Sequence, residues 1–220
     1  MRHFQRNRRG LRAGFTILEA SIAITILAIV ILSASTAVDR SSGAFRSSTA
    51  ASDLDTMTRR ALDRVSKDLA TVVGGSLAPN STLPGQSVDT LDYRTNTGWN
   101  GDAVTTGVLN RISLQLDPAE LDDGLDNDSD GLVDERILLW QEDPGQPDER
   151  QVKRASFVAE LLEGETANGA DDNGNGLVDE SGFCIEITGN VMTLRLTLQR
   201  VDTTGQLLTS TAETSVLIRN

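Results

Sequence analysis

The chain has 220 residues, 32 acidic against 20 basic, and a formal charge of −12 at pH 7. That balance argues against a nucleic-acid-binding surface, because phosphate contact needs clustered Lys and Arg. A single cysteine, Cys184, excludes an internal disulfide, and a single histidine, His3, leaves the body of the chain without any histidine-based catalytic or metal-binding constellation.

The first fourteen residues carry Arg2, Arg6, Arg8, Arg9 and Arg12 and no acid, and lead into Gly14-Phe15-Thr16-Ile17-Leu18-Glu19. From Phe15 to Val38 the chain is apolar, with Glu19 as its only ionisable side chain before Asp39. At 1.5 Å per residue, a helix over this stretch is about 36 Å long and can cross a bilayer. The arginines predict a cytoplasmic N-terminus and a C-terminal side across the membrane. An ordinary secretory signal is cut after its apolar stretch. A cut after Gly14 would instead keep that stretch, leave 206 residues, and move the formal charge from −12 to −17 by removing five arginines. A carboxylate inside a bilayer costs about 2.5 kcal/mol or more unless paired, which makes Glu19 a candidate functional residue.

This order of basic arm, Gly14, Phe15, Thr16, Glu19 and apolar run resembles the processing junction of type IV prepilins and type II secretion pseudopilins. The resemblance implies a prepilin peptidase that recognises Gly14 and methylates Phe15. It also implies that Glu19 pairs with the free amine of a Phe15, in its own or a neighbouring subunit, during filament assembly. The fold it implies is α+β and pilin-like: a long N-terminal helix, half membrane-embedded and half amphipathic, packed on an antiparallel β-sheet. The implied location is the bacterial inner membrane, single pass, with a periplasmic C-terminal domain. Other pilin or pseudopilin subunits would be its partners, in a pseudopilus or type IV pilus. The expected divisions are a leader at 1–14, a membrane and filament-core helix at 15–38, an amphipathic half at 39–75 and a β-domain at 76–220.

Ser35 to Ser48 is rich in Ser, Ala and Thr and contains Gly43, a composition expected to loosen the helix locally. Leu54, Met57, Ala61, Val65, Leu69 and Val72 then recur at steps of three or four and predict one buried stripe, with a stop at Gly74-Gly75. Residues 76–101 are loop-like, apart from a short strand expected at Thr90 to Arg94. Further strands are expected at Ile112 to Leu116 and Ile137 to Trp140. Phe183 to Val201 alternates on both sides of Gly189-Asn190, predicting a hairpin that pairs Thr188 with Val191, Ile187 with Met192 and Ile185 with Leu194. The same register sets Cys184 opposite Arg195 on the polar face, as an inert strand residue. Ser215 to Asn220 predicts a last strand, and its ending resembles J-type minor pseudopilins and W-type minor pilins.

Two acidic loops repeat at a spacing of 45 residues: Asp126-Asn127-Asp128-Ser129-Asp130-Gly131-Leu132-Val133-Asp134-Glu135 and Asp171-Asp172-Asn173-Gly174-Asn175-Gly176-Leu177-Val178-Asp179-Glu180. Oxygen side chains at positions 1, 3 and 5 with Gly at 6 form a calcium-loop pattern, because alternate side chains converge as the chain turns. The candidate ligands are Asp126, Asp128, Asp130, the Leu132 carbonyl, Asp134 and Glu135. In the second loop they are Asp171, Asn173, Asn175, the Leu177 carbonyl, Asp179 and Glu180. Val133 and Val178 are expected to anchor the loops to the core. Ile137 and Gly182 stand where an EF-hand has its bidentate Glu, so Glu135 and Glu180 are the substitutes. Oxygen-only ligands favour Ca2+, with the first loop the stronger. If the segments 137–140 and 151–162 pair antiparallel, both loops leave the same end of the sheet; Phe157, Val158, Leu161 and Leu162 also fit a helical turn.

These features point to a structural pilin-like subunit with a calcium-binding domain. The competing reading is a membrane-tethered, calcium-dependent adhesin or ligand-binding module. No motif beyond the metal loops suggests an enzyme.

Overall fold

The computed structural model describes residues 16–218, so the basic leader, the Gly14-Phe15 junction and the Arg219-Asn220 ending lie outside the described residues. The chain divides into two compact units at Phe45. A single helix, α1 (Ile17–Leu69), begins in the first and ends in the second.

In the first unit the apolar side chains of α1 are exposed, from Ile17 to Val38. The helix is long and apolar enough to cross a membrane. The Ser/Thr-rich stretch does not loosen it: α1 runs unbroken through Ser35, Gly43 and Ser48. The hydroxyls turn back onto the helix. Ser33 Oγ donates to the Ile29 carbonyl, Thr36 Oγ1 to Ser33 and Ser42 Oγ to Asp39, so each finds its acceptor on its own helix.

In the second unit α1 buries Leu54, Thr58, Ala61, Leu62, Val65 and Leu69 in the core. Met57, expected on this stripe, is instead 40% exposed. At about 100° per residue it lies roughly 90° from the stripe's centre, whereas Thr58 and Leu62 fall within it. Thr58 is accommodated because its hydroxyl donates to the Leu54 carbonyl. The helix stops at Leu69, before the glycine pair, which instead forms part of a short 3-10 turn over Gly74–Ser76. Val72 is buried beyond the helix, bridging to Thr95.

Among the described residues seven strands form one antiparallel sheet: β1 (Thr90–Trp99), β2 (Val104–Leu116), β3 (Arg136–Glu142), β4 (Arg150–Val158), β5 (Phe183–Thr188), β6 (Val191–Val201) and β7 (Leu207–Leu217). β1 to β4 pair in sequence as hairpins. β6 pairs with β7 along its length on one edge. On its other edge it pairs with β5, and its Leu198 bridges to Val158 of β4. The β5–β6 hairpin has the register that alternation dictates, Ile185 opposite Leu194 and Ile187 opposite Met192. Their side chains, with Leu91, Ile112, Leu138 and Val216, join the helix stripe in one core.

Cys184 pairs with Arg195 as expected but is 1% exposed, not on a wet polar face. Residues 85–88, expected as free loop, supply part of its cover: Val88 bridges to Ile185, and Ser87 reaches the thiol. Burial pushes that thiol up to about 12, which makes it chemically inert near neutral pH.

β4 is a strand to Val158, not a helical turn. Its pairing with β3 shifts between Leu138–Ala155 and Arg136–Val158, which leaves Ser156 and Phe157 opposite Ile137 alone. This is a β-bulge, and Phe157 takes φ 61° within it. The same register sets the first residue of β3, which follows the first acidic loop, beside the last of β4, and residues 159–170 separate β4 from the second loop.

Candidate metal centres

The first loop is held by its own side chains. Asp126 accepts from the backbone N–H of Ser129 (2.6 Å) and Gly131 (3.0 Å), Asp128 from Asp130 (3.0 Å), and Asp130 from Leu132 (2.9 Å). Each carboxylate thus folds the chain back on itself, and Gly131 takes φ 94°, a region closed to most side chains. A Cβ at Gly131 would also press on Val201.

The result is convergence. Carboxylate oxygens of Glu120, Asp126 and Asp128 lie within 4.8 Å of one another, as do those of Asp128, Asp130 and Glu135. Asp128 belongs to both groups, so the two clusters adjoin through its side chain. Glu135 is 4% exposed, and its Oε2 has no hydrogen-bond partner. Burial, then the negative charges of Asp130, Glu120 and Asp128, push its pKa up to about 7. A buried carboxylate among like charges is costly unless a cation joins it. The cluster can therefore hold a metal ion, and its oxygen-only donors select a hard one.

Glu120 escaped the sequence reading. Its Oε1 accepts from the N–H of Asn127 and Asp128, fastening the loop's base to its tip. The signal was present, since Glu165 stands 45 residues on, as does Gly169 from Gly124.

The structure gives other contacts to several of the remaining loop residues. Asp134 lies outside the converging groups, its two oxygens taken by the N–H of Asp123 (3.1 Å) and Gly124 (2.8 Å). Asp179 does the same for Asn168 and Gly169. The loop anchors are Leu132 and Leu177, 5% and 3% exposed, while Val133 and Val178 face solvent at 51% and 41%. Position 12 of each loop is structural: Ile137 is buried in β3, and a Cβ at Gly182 would collide with the Ala159 carbonyl. A strand or bridge, not a helix, follows each loop, so neither is an EF-hand.

In the second loop Asp171 accepts from Gly174 (2.7 Å) and Gly176 (2.8 Å), Asn173 from Asn175 (2.9 Å), and Asn175 from Leu177 (2.9 Å). Glu180 is 1% exposed. The loop thus repeats the first one's scaffold with two acids replaced by amides.

Gly14 and Phe15, the expected processing residues, lie outside the described residues. Glu19 is exposed and forms a capping box with Thr16: its Oε2 accepts from the Thr16 N–H (2.9 Å) and hydroxyl (3.0 Å), and Thr16 Oγ1 accepts from the Glu19 N–H (3.2 Å). This starts the helix and fixes the carboxylate beside its first turn. No known protein family, curated protein or solved structure matches the chain.

Proposed function

We propose that this chain is a minor pilin-like subunit of a type II secretion pseudopilus or type IV pilus, anchored in the inner membrane with its β-domain in the periplasm. The observation that carries the reading is the change of character along one continuous helix. From Ile17 to Val38 its apolar side chains have no cover, whereas from Leu54 to Leu69 its stripe is sealed in the core. An uncovered apolar half needs a bilayer or other such helices around it. Its lone acid, Glu19, sits at the first turn, where a neighbouring subunit's N-terminal amine would be its partner.

The β-domain's share in this function is a calcium-ordered loop. Five carboxylates at Glu120, Asp126, Asp128, Asp130 and Glu135 would repel one another without a cation, and Ca2+ accepts the irregular oxygen geometry that such a loop offers. With the ion the loop is a rigid surface feature of the subunit.

Replacing Glu19 by Ala tests the assembly role. Filament assembly or secretion should fail, while membrane insertion and calcium binding persist. Unimpaired assembly would favour the other reading, a membrane-tethered calcium-dependent binding module.

A further inference from the structure

We propose that the second loop, Asp171–Glu180, is a divalent-cation site in its own right, closed by the buried glutamates Glu165 and Glu180. The proposal rests on the calcium reading of the first loop and extends it to a second ion. By sequence this loop looks the poorer of the two, since Asn173 and Asn175 stand where the first has Asp128 and Asp130.

The decisive feature lies beneath it. Glu180 is 1% exposed, and neither of its carboxylate oxygens has a hydrogen-bond partner. Glu165 is 8% exposed; its Oε1 accepts from the Asn173 N–H at 3.0 Å, and its Oε2 has no partner. Among the described residues no Lys or Arg forms an ion pair with either; Arg136, at the start of β3, pairs with Glu160 at 3.6 Å. Three buried carboxylate oxygens without donor or counter-ion are too costly to be a resting arrangement. A cation among them would supply the missing partner.

The repeat sets Glu165 and Glu180 in the chain as Glu120 and Glu135 are set in the first loop. Leu162 N donates to the Glu180 carbonyl as Asp117 N does to Glu135. Asn173 N donates to Glu165 as Asp128 N does to Glu120. Asp171, Asn173 and Asn175 hold the same backbone groups as Asp126, Asp128 and Asp130. Glu180 thus occupies the place of Glu135, whose carboxylate converges with Asp128 and Asp130. The corresponding cage in the second loop is Glu165, Asp171 and Glu180 with the amide oxygens of Asn173 and Asn175. It is all oxygen, with three formal negative charges where the first has five. A divalent cation brings it close to neutrality, and the flexible six- to eight-fold coordination of Ca2+ suits mixed carboxylate and amide donors.

Equilibrium dialysis of the detergent-solubilised full chain against radioactive calcium gives the test. The wild type should bind two ions. The double variant Asp126→Asn, Asp128→Asn should bind one, at the second loop. Glu180→Gln should also bind one, and adding it to the double variant should lower the remaining affinity at least tenfold. Glu165→Gln should act in the same direction, and serves alone if near-ultraviolet circular dichroism shows that Glu180→Gln has lost the fold. A wild type that binds one ion, lost completely in the Asp126/Asp128 variant, would overturn the second site and leave the first standing. No ion in the wild type would overturn both.

Discussion

At the scale of single residues, Glu135 shows how the first loop couples proton, metal and fold. Its folded pKa of about 7 lies above the ordinary carboxylate value because it is buried among Asp130, Glu120 and Asp128. Between pH about 4.5 and 7 the metal-free folded chain therefore holds a proton that the unfolded chain has released. The sign follows: in chelator, stability is highest at the acid end of this window, falls as pH rises through it, and levels off above pH 7. The size of the fall is set by how far the folded pKa lies above the unfolded one. Urea melts in chelator at pH 5 and 7.5 should show the higher midpoint at pH 5, and Glu135→Gln should flatten the difference. A midpoint that rises with pH would contradict the assignment of a buried, unpaired acid.

At the scale of elements, the helix–sheet contact gives a sharp comparison. Leu62 is 3% exposed and Met57 40% exposed, although sequence periodicity favoured Met57. Leu62→Ala should cost about 2–5 kcal/mol by leaving a cavity; Met57→Ala should cost under about 1 kcal/mol. Thermal melts of the two variants check this, and equal losses would mean that the helix presents a different face to the sheet.

What was legible at this scale follows from range of interaction. The β5–β6 hairpin could be read because its pairing is set by a two-residue turn and strict alternation, both local. The loops could be read because their side chains bond backbone two to five residues away. Cys184 could not be placed in the core, because its cover comes from residues 85–88, about a hundred positions earlier in the chain. Nor could the length of β1 and β2, whose outer halves are Thr- and Gly-rich and carry no apolar alternation. The β4 bulge at Phe157 was ambiguous for a physical reason: one extra residue in a strand shifts its apolar residues to a spacing that also suits a helical turn.

At the scale of the whole molecule, the chain combines two parts with opposite needs. One is a helix whose apolar side chains are uncovered from Ile17 to Val38. The other is an acidic β-domain with its own sealed core and two loops rich in buried carboxylate. The first needs apolar neighbours and the second needs cations; the proposed filament subunit, rooted in a membrane with its β-domain in the periplasm, would meet both needs.

The most direct test of this account is the N-terminus of the protein recovered from cell membranes, measured by mass spectrometry of the intact chain and its first peptide. A chain that begins at N-methylated Phe15, with the apolar helix retained, is the expected result. A chain that still carries Met1 and its arginines, or one cut beyond Val38 and released without its helix, would contradict it.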